Sequence, residues 1–145
     1  MNPIFFGGIA GIGAGAIMLF LSHIAPRFGA GNFVRDLDVL RLFGRTYSRR
    51  EAHVIGVFVH LFLAFFFGVL YAFGVEQGIA NGYGAWPLVM YAVLLTVFVG
   101  GIIMPLEGHG LFGLREDDWF PIDLLLTNLG WVLLYWVIVS LWLPA

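Results

Sequence analysis

The chain has 145 residues, 61% of them hydrophobic and 11% charged, with a formal net charge of −2. Soluble domains are roughly a quarter charged, and a chain this short cannot bury so much apolar surface in water. The composition therefore points to a bilayer, and the near-neutral charge leaves no footprint for nucleic acid. There is no cysteine and no lysine, which excludes disulfides, thiolate metal sites and Schiff-base cofactors.

Four long apolar runs predict an all-α fold: a single-domain transmembrane four-helix bundle with spans at about residues 3–24, 49–73, 87–104 and 121–143. A spanning helix needs about 17–25 apolar residues. Barrel strands would be shorter and alternating.

The first span opens on Asn2 and Pro3, a cap and a first helical position. Its "GIAGIGAGA" holds Gly11, Gly13 and Ala16, a literal dinucleotide fingerprint, but that fingerprint needs a preceding strand. Gly7, Gly11 and Gly15 instead repeat every fourth residue, the spacing that lets helices approach closely in lipid. No basic region precedes the span and no convincing cleavage site follows, so it reads as a retained helix and not a removed signal peptide. His23 stands at its end.

The first loop, about residues 26–48, carries "NFVRDLDVLRLFGR". Phe33, Leu37, Leu40 and Phe43 fall at helical spacing with arginines and aspartates between them. This reads as a short amphipathic segment on the cytoplasmic leaflet, its arginines meeting anionic head groups. A solvated loop that only fixes topology is the alternative reading.

Ser48 and Glu51 make a capping box before the second span. There His53 and His60 are seven residues apart, which sets them on one face about 10 Å apart. Gly56, Ala64, Gly68 and Tyr71 continue that stripe, while Phe58, Phe62, Phe65 and Phe66 fall mainly elsewhere. His60 lies inside the bilayer, where an ionisable group is a candidate for binding a cofactor or relaying a proton. The plain alternative is a neutral imidazole hydrogen-bonded across the bundle.

The second loop has no arginine. Pro87 suits the first turn of the third helix, and Pro105 with Gly108 closes it. The turn "MPLEGHGLFGLREDDWFP" follows, with Glu107 and His109 nearest the bundle and Glu116, Asp117 and Asp118 expected to face water. Pro121 begins the fourth span, with Asp123, Thr127 and Asn128 in its first turns. Asp123 is favoured there by the helix dipole, and Thr127 and Asn128 are expected to bond neighbouring helices. Trp86, Trp119 and Trp142 sit near span ends, as interfacial aromatics do.

Six arginines lie in or beside the first loop and Arg115 in the third. By the positive-inside rule both loops are cytoplasmic and both termini outside. An antiparallel bundle then gathers His23, His53, Glu107, His109 and Asp123 at one end. Imidazoles and carboxylates from different helices are what a divalent metal or a proton-transfer site needs. No H-E-x-x-H motif supports the site, and helix ends are commonly polar. Haem finds weaker footing, because only His60 is deep and a bis-histidine site needs a facing partner.

His60, Gly68 and Tyr71 in "HLFLAFFFGVLYA", followed by "MPLEGHGLFGL", resemble a group of uncharacterised four-span bacterial integral membrane proteins. That group shares a small-residue first helix, a histidine in helix two and a "MP…GxGxFG" turn. The resemblance implies fold and membrane location and brings no activity with it. The acidic "REDDW" and Asn128, where the resemblance would place histidine, depart from the pattern, so no histidine pair of helices two and four carries over.

Together these features lead to the expectation of a non-catalytic integral membrane protein. It would pack in a homo- or hetero-oligomeric assembly or bind a lipid or small molecule. A membrane metal-binding protein or enzyme using the His/Glu/Asp cluster is the second expectation, and a small proton-coupled transporter with His60 as relay the third.

Overall fold

The computed structural model describes residues 2–24, 41–42 and 45–142. Four helical segments are long and apolar enough to cross a membrane: Pro3–Ile24, His53–Glu76, Ala85–Leu106 and Phe120–Trp142. The fold is an all-α, antiparallel four-helix bundle.

Helix α1 (Pro3–Ile24) starts where Asn2 Oδ1 accepts the Ile4 N–H at 2.9 Å. Helix α2 (Arg49–Glu76) starts on the full capping box: the Glu51 N–H donates to Ser48 Oγ at 3.4 Å, and the Ser48 N–H donates to Glu51 Oε2 at 3.0 Å. It ends three residues beyond the expected Phe73. There Gly78, at φ +70°, lets Ile79 N–H reach Gly74 O and Gly78 N–H reach Val75 O. This left-handed closure satisfies carbonyls that a helix end otherwise leaves bare.

Most of the expected amphipathic segment, residues 25–40 and 43–44, lies outside the described residues. Its described end is extended: Arg41–Leu42 (β1) pairs antiparallel with Arg45–Thr46 (β2). Helical spacing therefore does not run through to Arg45.

The third span is α3 (Ala85–Phe98), a π-helical turn (Val99–Ile103) and the short α4 (Met104–Leu106). Pro105 explains the wide turn. Its ring has no N–H for the Gly101 carbonyl and would crowd that group in a regular helix; the π-turn lets the Met104 N–H bond to Val99 O instead. The span closes as α2 does, with Gly108 at φ +88°, its N–H on Pro105 O, and His109 N–H on Met104 O. Helix α5 (Phe120–Trp142) completes the bundle.

Around the bundle the order is α2, α1, α5, α3: α1 packs on α2 and α5, and α5 packs on α3. The core runs through Ala10, Ala14, Met18, Ala64, Phe67, Tyr71, Ala92, Leu95, Trp131 and Tyr135. Most large apolar side chains point outward instead, including Phe58, Phe62, Leu94 and Leu133. In a bilayer these are the lipid-facing side chains.

Candidate functional site

The α1–α2 seam is built from small residues. A Cβ at Gly11 would fall on the Ala64 carbonyl oxygen and lie 3.2 Å from Gly68 Cα. One at Gly68 would fall on Gly7 O, and one at Gly15 would lie 2.8 Å from Ala64 Cβ. The expected fourth-residue glycine repeat thus faces Ala64, Gly68 and Ala72 of α2. The dinucleotide-like run is a stretch of this packed helix. Gly56 departs from the expected stripe, standing exposed with nothing within 4 Å of where its Cβ would be.

His60 sits at the inner edge of this seam. Its ring faces Gly15, whose Cβ position is 3.6 Å from Nε2. That nitrogen is buried; the Gly15 backbone is within reach of the ring, but among the described residues Nε2 has no hydrogen bond of good geometry. Leaving a buried polar group unsatisfied costs about 1–3 kcal/mol. His60 Nε2 is thus a polar atom buried within a candidate span, with no well-formed hydrogen bond among the described residues.

At a similar depth, Asn128 Nδ2 donates to Thr96 Oγ1 at 3.0 Å, and that hydroxyl donates to Ala92 O at 2.8 Å. Along their helices His60, Thr96 and Asn128 each lie roughly 10–15 Å from the end that carries loops one and three. Asn128 thus bonds a neighbouring helix, while the Thr127 hydroxyl donates back to Asp123 O at 2.8 Å within its own helix.

The five polar residues expected at that end fall into separate groups. His23 and His53 meet edge to face with ring centroids 5.6 Å apart, both exposed, where α1 leaves the bundle beside α2. Glu107 and His109 lie together on the α3–α5 side, and Asp123 sits in the first turn of α5. Among the described residues no three His, Asp or Glu side chains gather as a metal ion would require.

His109 is held more firmly than a turn residue needs to be. It is buried, and its Nδ1 is 2.8 Å from Glu116 Oε1. With the carboxylate accepting at Nδ1–H, the second nitrogen keeps its lone pair, and Nε2 is buried with no partner among the described residues. Glu116 stays exposed, as expected, while one carboxylate oxygen meets the imidazole. Burial raises the Glu107 carboxyl above its ordinary range, opposed by the nearby His109.

Sequence reasoning missed a cluster of aromatic hydroxyls toward the other end. Tyr71 lies 4.8 Å from Tyr91 and 5.9 Å from Tyr135, centroid to centroid, and Trp131 stacks on Tyr135 at 5.3 Å. Their polar tips all find backbone acceptors. Tyr71 donates to Gly82 O, Tyr91 to Phe67 O, Tyr135 to Gly68 O and Trp131 Nε1 to Gly11 O. The available signal was a tyrosine in the middle of a span, since a buried phenol needs a partner for its hydroxyl.

No protein-family model matches the chain, and no curated protein or solved structure shows significant similarity to it.

Proposed function

We propose that this chain is a non-catalytic integral membrane protein that works by binding: a helix-packing subunit of a larger membrane assembly that also holds a lipid or other small amphipathic molecule. The observation that carries this reading is His60 Nε2, buried in a span and without a well-formed hydrogen bond among the described residues. A ligand hydroxyl or amide, or a polar group from a partner helix, relieves that cost, and within the membrane interior such groups are scarce and selective. The exposed phenylalanines of α2, Phe58, Phe62 and Phe66, suit acyl chains and partner helices alike.

The arginine-rich first loop supports a cytoplasmic-membrane location with loops one and three inside. The metal reading meets two separate pairs of residues and a lone aspartate instead of one cluster, so the geometry lends it little.

The test is native mass spectrometry of the protein purified in mild detergent, wild type beside His60→Leu. A small-molecule adduct or partner chain present in the first and lost in the second is the expected result. A bare wild-type chain, made more heat-stable by the leucine, would reject the reading. A second reading, proton relay through His60, draws on the Asn128–Thr96 pair at the same depth. It predicts proton-coupled flux in liposomes that His60→Ala abolishes, and unchanged flux rejects it.

A further inference from the structure

Loop three, residues 107–119, is a rigid structure. Beyond the closure at Gly108, the Arg115 N–H bonds His109 O at 3.1 Å, Arg115 Nη1 reaches Gly108 O at 3.3 Å, and the Glu116 N–H bonds Gly113 O at 2.9 Å. Gly110 and Gly113 take φ +77° and +74°. Phe112 takes φ +52°, a conformation that bulky residues adopt only where the surroundings impose it. The imposition is visible: the Phe112 ring occupies the space a Cβ on Gly100 would need, and the Phe120 ring does the same at Gly113.

The loop is also inside out for a segment in water. Its imidazole is buried, His109 being 4% exposed, while Leu106, Leu111, Leu114 and Trp119 are 66%, 61%, 52% and 68% exposed. In chain order these four run from the exposed end of the third span to the exposed start of the fourth, with Arg115, Glu116 and Asp118 exposed among them. Leu106 is the last residue of the third span, and Ile122, exposed in the first turn of the fourth, follows Trp119. Arg115, beside Leu114, is exposed as well, and arginine with tryptophan is the usual pairing of anchors at a bilayer interface.

We propose that loop three lies on the membrane, with Leu111 and Leu114 inserted into the interfacial layer of the leaflet at that end. Its occupant is thus the lipid surface of the same bilayer. Glu116 and Asp118, exposed on the same loop, stay on the water side. A fixed backbone makes the insertion cheap, because no segment has to be ordered for the leucines to reach the lipid.

The chain has no cysteine of its own, so single nitroxide labels can be placed without a background. Leu111→Cys, Leu114→Cys and Asp118→Cys are labelled and compared with Leu94→Cys, whose side chain lies on the outer face of the third span. In phosphatidylcholine–phosphatidylglycerol vesicles, labels at 111 and 114 should collide readily with oxygen. They should meet a water-soluble nickel chelate several-fold less often than the label at 118. Equal chelate access at 111, 114 and 118 puts the loop in water and overturns the proposal. So does spin–spin broadening at 111 or 114 that disappears on dilution with unlabelled chain, which assigns the surface to a second copy. All the substituted side chains are exposed, so the bundle does not depend on them for packing.

Discussion

The two flanks of α2 are held by different means. Against α1 the backbones meet through Gly7, Gly11 and Gly68, so closely that side-chain carbon has no room. Against α3 the backbones stand farther apart, and Phe67, Tyr71, Tyr91 and Phe98 fill the gap, with Tyr91 donating to Phe67 O at 2.7 Å. In lipid there is little hydrophobic force to drive helices together. One flank therefore gains from close van der Waals contact and the other from aromatic bulk fixed by hydrogen bonds. The difference teaches where each flank is vulnerable: the first to added atoms, the second to lost ones.

That contrast can be broken by substitution. Gly11→Val should have the largest effect. Its side chain meets the Ala64 carbonyl, and an overpacked seam with no flexible neighbour to move should cost about 3 kcal/mol or more. The check is thermal unfolding in detergent, and a variant of wild-type stability would mean that the helices can slide apart freely.

On the opposite flank, Tyr91→Ala should cost about 3 kcal/mol through the void it leaves. Tyr91→Phe, which keeps the ring and removes the hydroxyl, should cost about 0.5–2 kcal/mol. Equal effects from the two would put the hydroxyl, and not the ring, in charge of that flank.

Ser48→Ala removes the cap from the start of α2 and touches neither flank. A loss of about 1 kcal/mol in the same assay sets the scale of a purely local change.

The smallest effect concerns pH. Burial raises the Glu107 carboxyl, so the folded chain holds that proton more tightly than the unfolded one. Stability is therefore fully present below the ordinary value of 4.5 and is lost as pH rises through the raised value. Glu107→Gln should flatten the decline in melting temperature over that window, and an unchanged slope would mean that the carboxyl is well solvated.

Much of this architecture was legible in the sequence because its causes are local. Long apolar runs fixed the four spans, Ser48 with Glu51 and Asn2 with Pro3 marked helix starts, and the glycine repeat marked the close seam. What was not legible depends on lateral order. Sequence sets the depth of His23, His53, Glu107, His109 and Asp123 but not their place around the bundle. His23 and His53 meet at the α1–α2 seam, while the groups of loop three sit over α3 and α5, so the two sets fall on different sides of the bundle. The contact between Glu116 and His109 escaped for a similar reason: Glu116 is exposed, as an acidic run suggests, and nothing local shows the buried imidazole beside it.

The π-turn at Val99–Ile103 bears on how this sequence can vary. A π-turn accommodates one residue more than the α-helix it interrupts, so everything beyond it is set in phase by that surplus. Drawn into a regular α-helix with every residue kept, the segment would swing the residues beyond it by roughly 100°, one helical step. Met104 would leave the core, and Phe112 would lose its place over Gly100. Point changes along the lipid face leave that phase untouched. Loss of the turn without a residue, or of a residue elsewhere in the helix, does not, so related chains that keep this loop are expected to keep the π-turn and its surplus residue together.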